Sequence, residues 1–354
     1  MKEQYRVTGL MSGSSMDGVD LACCDFMWNG QEWVYHIIEA ETYPYDDDLL
    51  RRLAYACNLG KSEIHKLDLE LGNYYADLLN TFHREKGLLP DLISSHGHTI
   101  LHDPPRGITF QAGNGRIMAE KTRITVINDF RSEDVAQGGQ GAPLVPLGDR
   151  LLFKQYEGCL NLGGFANISF EESSGILMAY DLCPANMALN SVAALEGLEY
   201  DMNGEMARKG QPDEGFLEKL NRLDYYAVDP PKSLGREWFL DRFQPLTIKS
   251  GLDNYDLMST VLEHIAQQIS AGINRAGTGS VLVTGGGALN RTLVERLRYH
   301  SRASLVIPEK RLVHFKEALI FALLGVLKIR GEINVLASVT GGREDLSAGT
   351  IHRI

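Results

Sequence analysis

Four glycine-rich turns, each closing an apolar stretch, constrain this chain more than any other feature. They are MSGSSMDG from Met11, AQGGQGAP from Ala136, LNLGGFAN from Leu160 and VTGGGALN from Val283. Apolar segments over 5–11, 19–26, 92–95, 124–128, 159–162, 167–170, 176–180 and 281–283 read as strands. Between them, Ile64, Leu67, Leu71, Tyr74, Tyr75 and Leu78 recur at a helical period over 61–86. Val261, Leu262, Ile265, Ile269 and Ile273 do the same over 257–275. Helices are also expected over 49–56, 289–300 and 315–330. Interleaved strands and helices make the class α/β, and ligands of such sheets sit at strand ends, where these turns fall. Strand, glycine turn and strand occur at 5–26 and again at 159–170. Two related halves would give this pattern, as would two unrelated hairpins.

At roughly 100–200 residues per domain, 354 residues suggest two domains. The net charge is −11, and no basic block offsets it, which argues against duplex nucleic acid or anionic lipid as a partner. Five cysteines, an odd number with no CxxC spacing, read as reduced thiols. The apolar run 318–327 is too short to cross a bilayer and fits a buried helix. No signal peptide is read at the N-terminus.

Successive N–H groups of a Gly/Ser turn can hold anionic oxygens. The first turn adds hydroxyls at Ser12, Ser14 and Ser15 and carboxylates at Asp17 and Asp20, the parts for a polyphosphate with a divalent metal. The Walker pattern is absent, so Gly60, Lys61 and Ser62 read as a helix entry. Asp181 closes an apolar strand ahead of Pro184. It is placed either as a general base or as the cap of a following helix. His96, His98 and His102 admit a metal-ligand reading, with turn polarity or sugar hydroxyl binding as the commoner one. Asp129, Arg131 and Asp134 read as surface ion pairing, and Cys183 as an inert thiol.

Taken in order, these segments resemble one family, the anhydro-N-acetylmuramic acid kinases of the sugar kinase/Hsp70/actin superfamily. The matching residues are GLMSGSSMDGVD from Gly9, SHGHT from Ser95, FQAGNG from Phe110 with Glu120 beyond, and DFR from Asp129. They continue with GGQGAPLVP from Gly138, LNLGGFANIS from Leu160, Asp181 with Pro184 and Asn186, GGGALN from Gly285 and KEALIFALL from Lys316.

The resemblance implies two ribonuclease-H-like domains around a central cleft, over 1–140 and 141–354, with the last helix able to pack across the boundary. It implies ATP with Mg²⁺, held by Ser12, Gly13, Ser14, Ser15, Met16, Asp17, Gly18, Val19, Asp20, Gly163, Gly164, Asn167, Gly285, Gly286 and Gly287. Asp181 would be the catalytic base, with His96, Gln111, Glu120, Arg131 and Glu317 on the sugar side. The implied reaction opens the anhydro ring of 1,6-anhydro-N-acetylmuramic acid and phosphorylates O6, in cytoplasmic cell-wall recycling. Small-molecule substrates are the expected partners, without nucleic acid or membrane, and exposed apolar helix faces leave room for a homodimer.

Three departures fall near the expected sugar site. The family's usual Asp-Thr-Gly-Pro-Gly-Asn is Asp181, Leu182, Cys183, Pro184, Ala185, Asn186. His98 stands for a common Gln, and Asn114 for a common Asp. A kinase of the same fold for another amino sugar, or a non-catalytic sugar- or nucleotide-binding regulator, are the alternatives these changes raise.

Overall fold

The computed structural model describes residues 2–13 and 18–354. In chain order its strands are β1 (Gln4–Ser12), β2 (Val19–Trp28), β3 (Trp33–Tyr43), β4 (Leu92–Asp103), β5 (Ile108–Ala112) and β6 (Thr125–Asn128). There follow β7 (Gly158–Leu162), β8 (Phe165–Glu171), β9 (Leu177–Pro184), β10 (Ser280–Thr284), β11 (Ser304–Val306) and β12 (Thr350–His352).

They form two sheets. The first runs β12-β6-β4-β1-β2-β3, with β5 paired to β4; the second runs β11-β10-β7-β8-β9. In each sheet three consecutive strands form an antiparallel meander, and two further strands add parallel to its first member. That shared order is the ribonuclease-H-like arrangement, present twice. The two glycine hairpins are therefore the corresponding β1–β2 and β7–β8 turns of two related sheets.

The chain divides into two compact units, Met1–Leu152 with Phe315–Ile354, and Phe153–His314. A single cut at 140/141 does not describe that grouping, because the last helix, Lys310–Arg330, carries the chain back to the first unit. Local packing explains the return. A Cβ on Gly9 in β1 would lie 1.9 Å from the Ala318 carbonyl oxygen, and one on Gly325 would lie 2.6 Å from the Ser94 side chain in β4. Glycine at these points lets helix and strands approach closely. β12 then pairs antiparallel with β6.

Each unit has its own core. In the first, Leu67, Leu71, Tyr75, Leu79 and Phe82 of the Lys61–Lys86 helix pack with Leu10, Leu21 and Ile93 of the sheet. Gly60 does precede this helix, and its N–H donates to Glu63 Oε2 at 3.0 Å. In the second, Val261, Ile265, Ile269 and Ile273 of the Asn254–Ala276 helix pack with Leu160, Ile168, Val281 and Val283. The periodicities visible in the sequence thus match the buried faces.

Candidate active site

Asp181 lies within a strand, not at its end. β9 continues to Pro184, and the helix that follows, Asn186–Ala193, has Ala185 as its N-cap with no side-chain cap bond. The capping reading of Asp181 is therefore overturned. Asn167 of β8 faces Asp181 in register, and Ala166 faces Cys183, so Leu182 is the extra residue of a β-bulge. Bulges re-aim neighbouring side chains. Leu182 packs where Gly272 of the Asn254–Ala276 helix leaves space, since a Cβ there would fall 2.3 Å from Leu182 Cδ2. Ala185, at φ −118°, needs no left-handed backbone.

β9 is the edge of its sheet, and a covering segment satisfies its outward groups at Asp181. The Asp181 N–H donates to the Lys232 carbonyl at 3.2 Å, the Tyr225 hydroxyl donates to the Asp181 carbonyl at 2.7 Å, and the Leu234 N–H donates to Oδ2 at 2.8 Å. Burial pushes the carboxyl up to about 6, against the opposing pull of the Leu234 N–H. It is thus mostly ionised at neutral pH yet more basic than an ordinary carboxylate. Cys183 is buried and held protonated, because burial raises its thiol far above the ordinary range and the neighbouring Asp181 adds to that.

Three loops of the same unit meet beside this strand. The Gly163 and Gly164 carbonyls, in the β7–β8 turn, accept the N–H groups of Ala185, Asn186 and Met187 at the start of the Asn186–Ala193 helix. Asn186 Nδ2 donates to the Leu162 carbonyl at 3.0 Å. Gly285 and Gly287, after β10, press on the same turn, with added Cβ atoms falling 2.6 Å from Asn161 Oδ1 and 2.8 Å from Leu162 Cβ. Packing requires those two glycines, and Gly285 also has φ +81°. Gly163, Gly164 and Gly286 are different. A Cβ on each would meet protein atoms no closer than 3.5 Å. The protein itself gives no reason for glycine at these three positions. A small side chain would thus fit at ordinary contact distance, and glycine there suits a ligand that approaches the backbone, as phosphate oxygens do at such turns.

In the first unit, Ser14, Ser15, Met16 and Asp17 lie outside the described residues. Ser12 is buried, and its Oγ bonds the Tyr45 hydroxyl and, at 2.8 Å, His98 Nδ1; the chain continues from Tyr45 to the Tyr75 hydroxyl at 3.0 Å. Its hydroxyl is therefore engaged at the end of β1. Val19 is in the core, leaving only its backbone for a ligand, and Gly18 packs with its Cβ position 2.5 Å from the Tyr43 carbonyl oxygen. Asp20 is half-buried and accepts a bond from Thr42 Oγ1.

The first unit also gathers a polar cluster. His96 Nδ1–H donates to the Gly97 carbonyl at 2.9 Å, so its bare Nε2 accepts from Arg131, at 2.8 Å from Nη2 and 3.0 Å from Nε. Burial, then the Arg131 charge, drives the His96 pKa well down. Burial lowers Arg131 to about 10, while the Glu317 carboxylate opposes that. Gly97, at φ +74°, lies against β5, where an added Cβ would fall 2.7 Å from the Ala112 carbonyl oxygen and 3.3 Å from Gln111 Cβ. Gln111 Nε2 donates to Thr109, but its buried Oε1 has no partner. An orphaned buried carbonyl is costly and suits a ligand hydroxyl. The structure thus brings together His96, Arg131, Gln111 and the charge of Glu317.

It does not bring Glu120 to them. Glu120 is exposed on the Gly115–Thr122 helix and pairs with Arg116 at 2.9 Å. Nor do His96 and His98 form a metal pair: both nitrogens of His96 serve Gly97 and Arg131, and Nδ1 of His98 serves Ser12. Among the described residues no group of three or more His, Cys, Asp or Glu could hold a metal. The surface reading of 129–134 also fails. Asp134 is fully buried and accepts from the Gly141 N–H and Thr340 Oγ1, both at 2.7 Å. Asn114 caps the Gly115–Thr122 helix and donates to Asp68 Oδ2 at 2.8 Å, where a second carboxylate would repel.

Sequence reasoning missed Tyr225, Lys232 and Leu234, which carry no motif. It also missed the buried Asp149–Lys316 ion pair at 3.0 Å, although a lysine heading the apolar run 318–327 was a usable signal. No helix among the described residues is long and apolar enough to cross a membrane.

Comparison with known proteins matches this arrangement to one family. The model of the anhydro-N-acetylmuramic acid kinase family matches residues 5–353. An anhydro-N-acetylmuramic acid kinase of Vibrio cholerae is 34% identical, over 99% of each chain, and one of Sulfurimonas denitrificans is 32% identical over 99% of this chain and all of its own. Among solved structures, component A of the (R)-2-hydroxyglutaryl-CoA dehydratase of Acidaminococcus fermentans is similar at TM-score 0.46 and 13% identity, over 90% of this chain and 96% of its own. The chain belongs to the anhydro-N-acetylmuramic acid kinase family.

Proposed function

We propose that this kinase adds water across the 1,6-anhydro bond of 1,6-anhydro-N-acetylmuramic acid and transfers the γ-phosphoryl group of ATP to O6. The products are N-acetylmuramic acid 6-phosphate and ADP, in cell-wall recycling. The observation that carries this reading is the family match over residues 5–353.

Asp181 takes a proton from the water that attacks the anomeric carbon. Its raised pKa, about 6, suits a base that must be ionised near neutrality and still bind a proton. Breaking the C1–O6 bond releases O6 as the nucleophile for the phosphoryl group, so the leaving oxygen needs no separate acid. In the second unit, Gly163, Gly164 and Gly286, which packing does not require to be glycine, are the backbone candidates for nucleotide oxygens, and Asn167 faces Asp181. In the first, the 12–20 turn carries the other phosphate-loop candidates. His96, Gln111, Arg131 and Glu317 supply the sugar-side polar groups, and Gln111 Oε1 is a buried acceptor that no protein donor serves. Mg²⁺, when bound with ATP, would neutralise phosphate charge, held by phosphate oxygens and water with Asp20 as the described carboxylate candidate.

The three departures from the family pattern each have a local partner: Leu182 with Gly272, His98 with Ser12 and Asn114 with Asp68. Local packing thus accommodates these changes within the fold. The test is mass spectrometry of the product from Mg-ATP and the anhydro sugar in ¹⁸O water. One phosphoryl group and one labelled water oxygen at C1 are expected. Turnover of a free hexosamine with none of the anhydro sugar would replace this substrate with another.

A further inference from the structure

The free edge of the strand that carries Asp181 is covered by a segment with no glycine motif. Residues 225–234 cross the exposed edge of β9 and touch Asp181 at three points: its N–H, its carbonyl and Oδ2. No two of these bonds share a protein donor or acceptor, so together they fix the residue's backbone and its carboxylate.

The segment is itself tied down. Lys232 Nζ donates to the Tyr225 carbonyl at 3.1 Å and lies 4.5 Å from the centre of the Tyr225 ring. The next residue, Tyr226, donates its hydroxyl to Nε2 of the fully buried His264 at 2.8 Å. The other His264 nitrogen bonds Asn221 Oδ1 at 2.7 Å. Neutral His264 is the form this needs, with one nitrogen donating and one accepting. The Asn254–Ala276 helix therefore anchors Tyr226, and with it the adjacent Tyr225.

We propose that Tyr225 is a positioning residue: its hydroxyl clasps the 225–234 segment to β9, so that the Leu234 N–H meets Asp181 Oδ2 and aims the other carboxylate oxygen. The proposal rests on the reading of Asp181 as general base. It goes further by assigning the control of that base to a backbone donor and to a tyrosine that touches only the backbone carbonyl of Asp181. The titratable groups around Asp181 are Tyr180 and Cys183 on β9, and Tyr225, Tyr226, Asp229 and Lys232 on the covering segment. From the Asn254–Ala276 helix come His264 and Arg275, the latter paired to Asp229. None is a cation in contact with the carboxylate. The Leu234 N–H is the donor that favours its ionised form.

Two variants test the clasp in the full-length kinase. Tyr225→Phe removes one oxygen and keeps the ring. It should lower kcat about tenfold, the scale of a mispositioned catalytic group, with KM for ATP and sugar within about twofold. Leu234→Pro removes the N–H donor. Loss of a bond to the ionised form raises the Asp181 pKa, so the acid limb of kcat/KM should move about one unit toward higher pH. Tyr225→Phe should move it the same way by less. A merely structural tyrosine would lower Tm and leave the limb and kcat of the folded enzyme unchanged; that result, for Tyr225→Phe, overturns the proposal even if Leu234→Pro fails to fold. Failure of the underlying reading has another signature: Asp181→Asn would then turn over at a near-normal rate. An inactive Asp181→Asn beside a fully active Tyr225→Phe rejects the clasp alone.

Discussion

A buried carboxylate that must stay ionised to work is a stability liability, and Asp181 shows it. Its folded pKa, about 6, exceeds the ordinary 3.8. The folded state therefore disfavours the charged form. The burden is full above about pH 6 and vanishes below the unfolded value. A shift of that size corresponds to at most about 3 kcal/mol. Asp181→Asn should accordingly cut kcat by at least ~10²-fold while raising unfolding free energy by about 1–3 kcal/mol at pH 7.5. Denaturant titrations at several pH values check it, and the gain should shrink as pH falls from 6 toward 4. An Asn variant that is less stable than the parent at pH 7.5 would contradict this account. In the parent, kcat/KM should rise with pH through about 6, the acid limb of one ionising base.

The chain pattern made Asp181 legible as a candidate, because a carboxylate beside an apolar strand is conspicuous. It did not show where the strand ends. That boundary is set by pairing with β8 and by the bulge at Leu182, both non-local. The roles of Asp134 and Asn114 were hidden for the same reason, since Thr340 and Asp68 are remote in sequence.

Among the elements, the glycine turns were the clearest signal, and the two halves they marked correspond to the two sheets. Sequence alone did not divide the glycines by purpose. Gly285 is held at φ +81° with a Cβ position 2.6 Å from Asn161 Oδ1, so Gly285→Ala should destabilise the fold by several kcal/mol through backbone strain and collision. Gly164→Ala meets nothing closer than 3.8 Å. It should leave Tm within a few degrees and weaken ATP binding, with KM for ATP up about tenfold or more. Thermal melts and nucleotide titrations of the two variants separate these outcomes. A Gly164→Ala protein with unaltered ATP affinity would remove that turn from the phosphate site. β3, β12 and the short helices between 194 and 250 went unread, since edge strands and helices of one or two turns leave little periodic signal.

At the scale of the molecule, the chain returns to its first unit through one helix. Ala318, Leu319, Ile320, Phe321, Ala322, Leu323, Leu324, Val326 and Leu327 are each at most 2% exposed. Gly9, Gly148 and Gly325 exist at contacts this helix makes with the first unit. Full burial of one large apolar side chain is worth about 1.5–3 kcal/mol. Loss of six or seven such side chains, about 9–21 kcal/mol, is therefore comparable with the whole stability of an ordinary domain, about 5–15 kcal/mol. The second unit has no such debt, because its core residues, from Leu160 to Val313, all lie within Phe153–His314. A fragment of residues 153–314 should thus fold alone and melt cooperatively by circular dichroism. A fragment of residues 1–152 should show no cooperative transition until 315–354 is supplied, fused through a flexible linker. A sigmoidal melt of 1–152 by itself would mean that the sheet holds without the helix, and that the close approaches at Gly9 and Gly325 contribute far less than their burial implies.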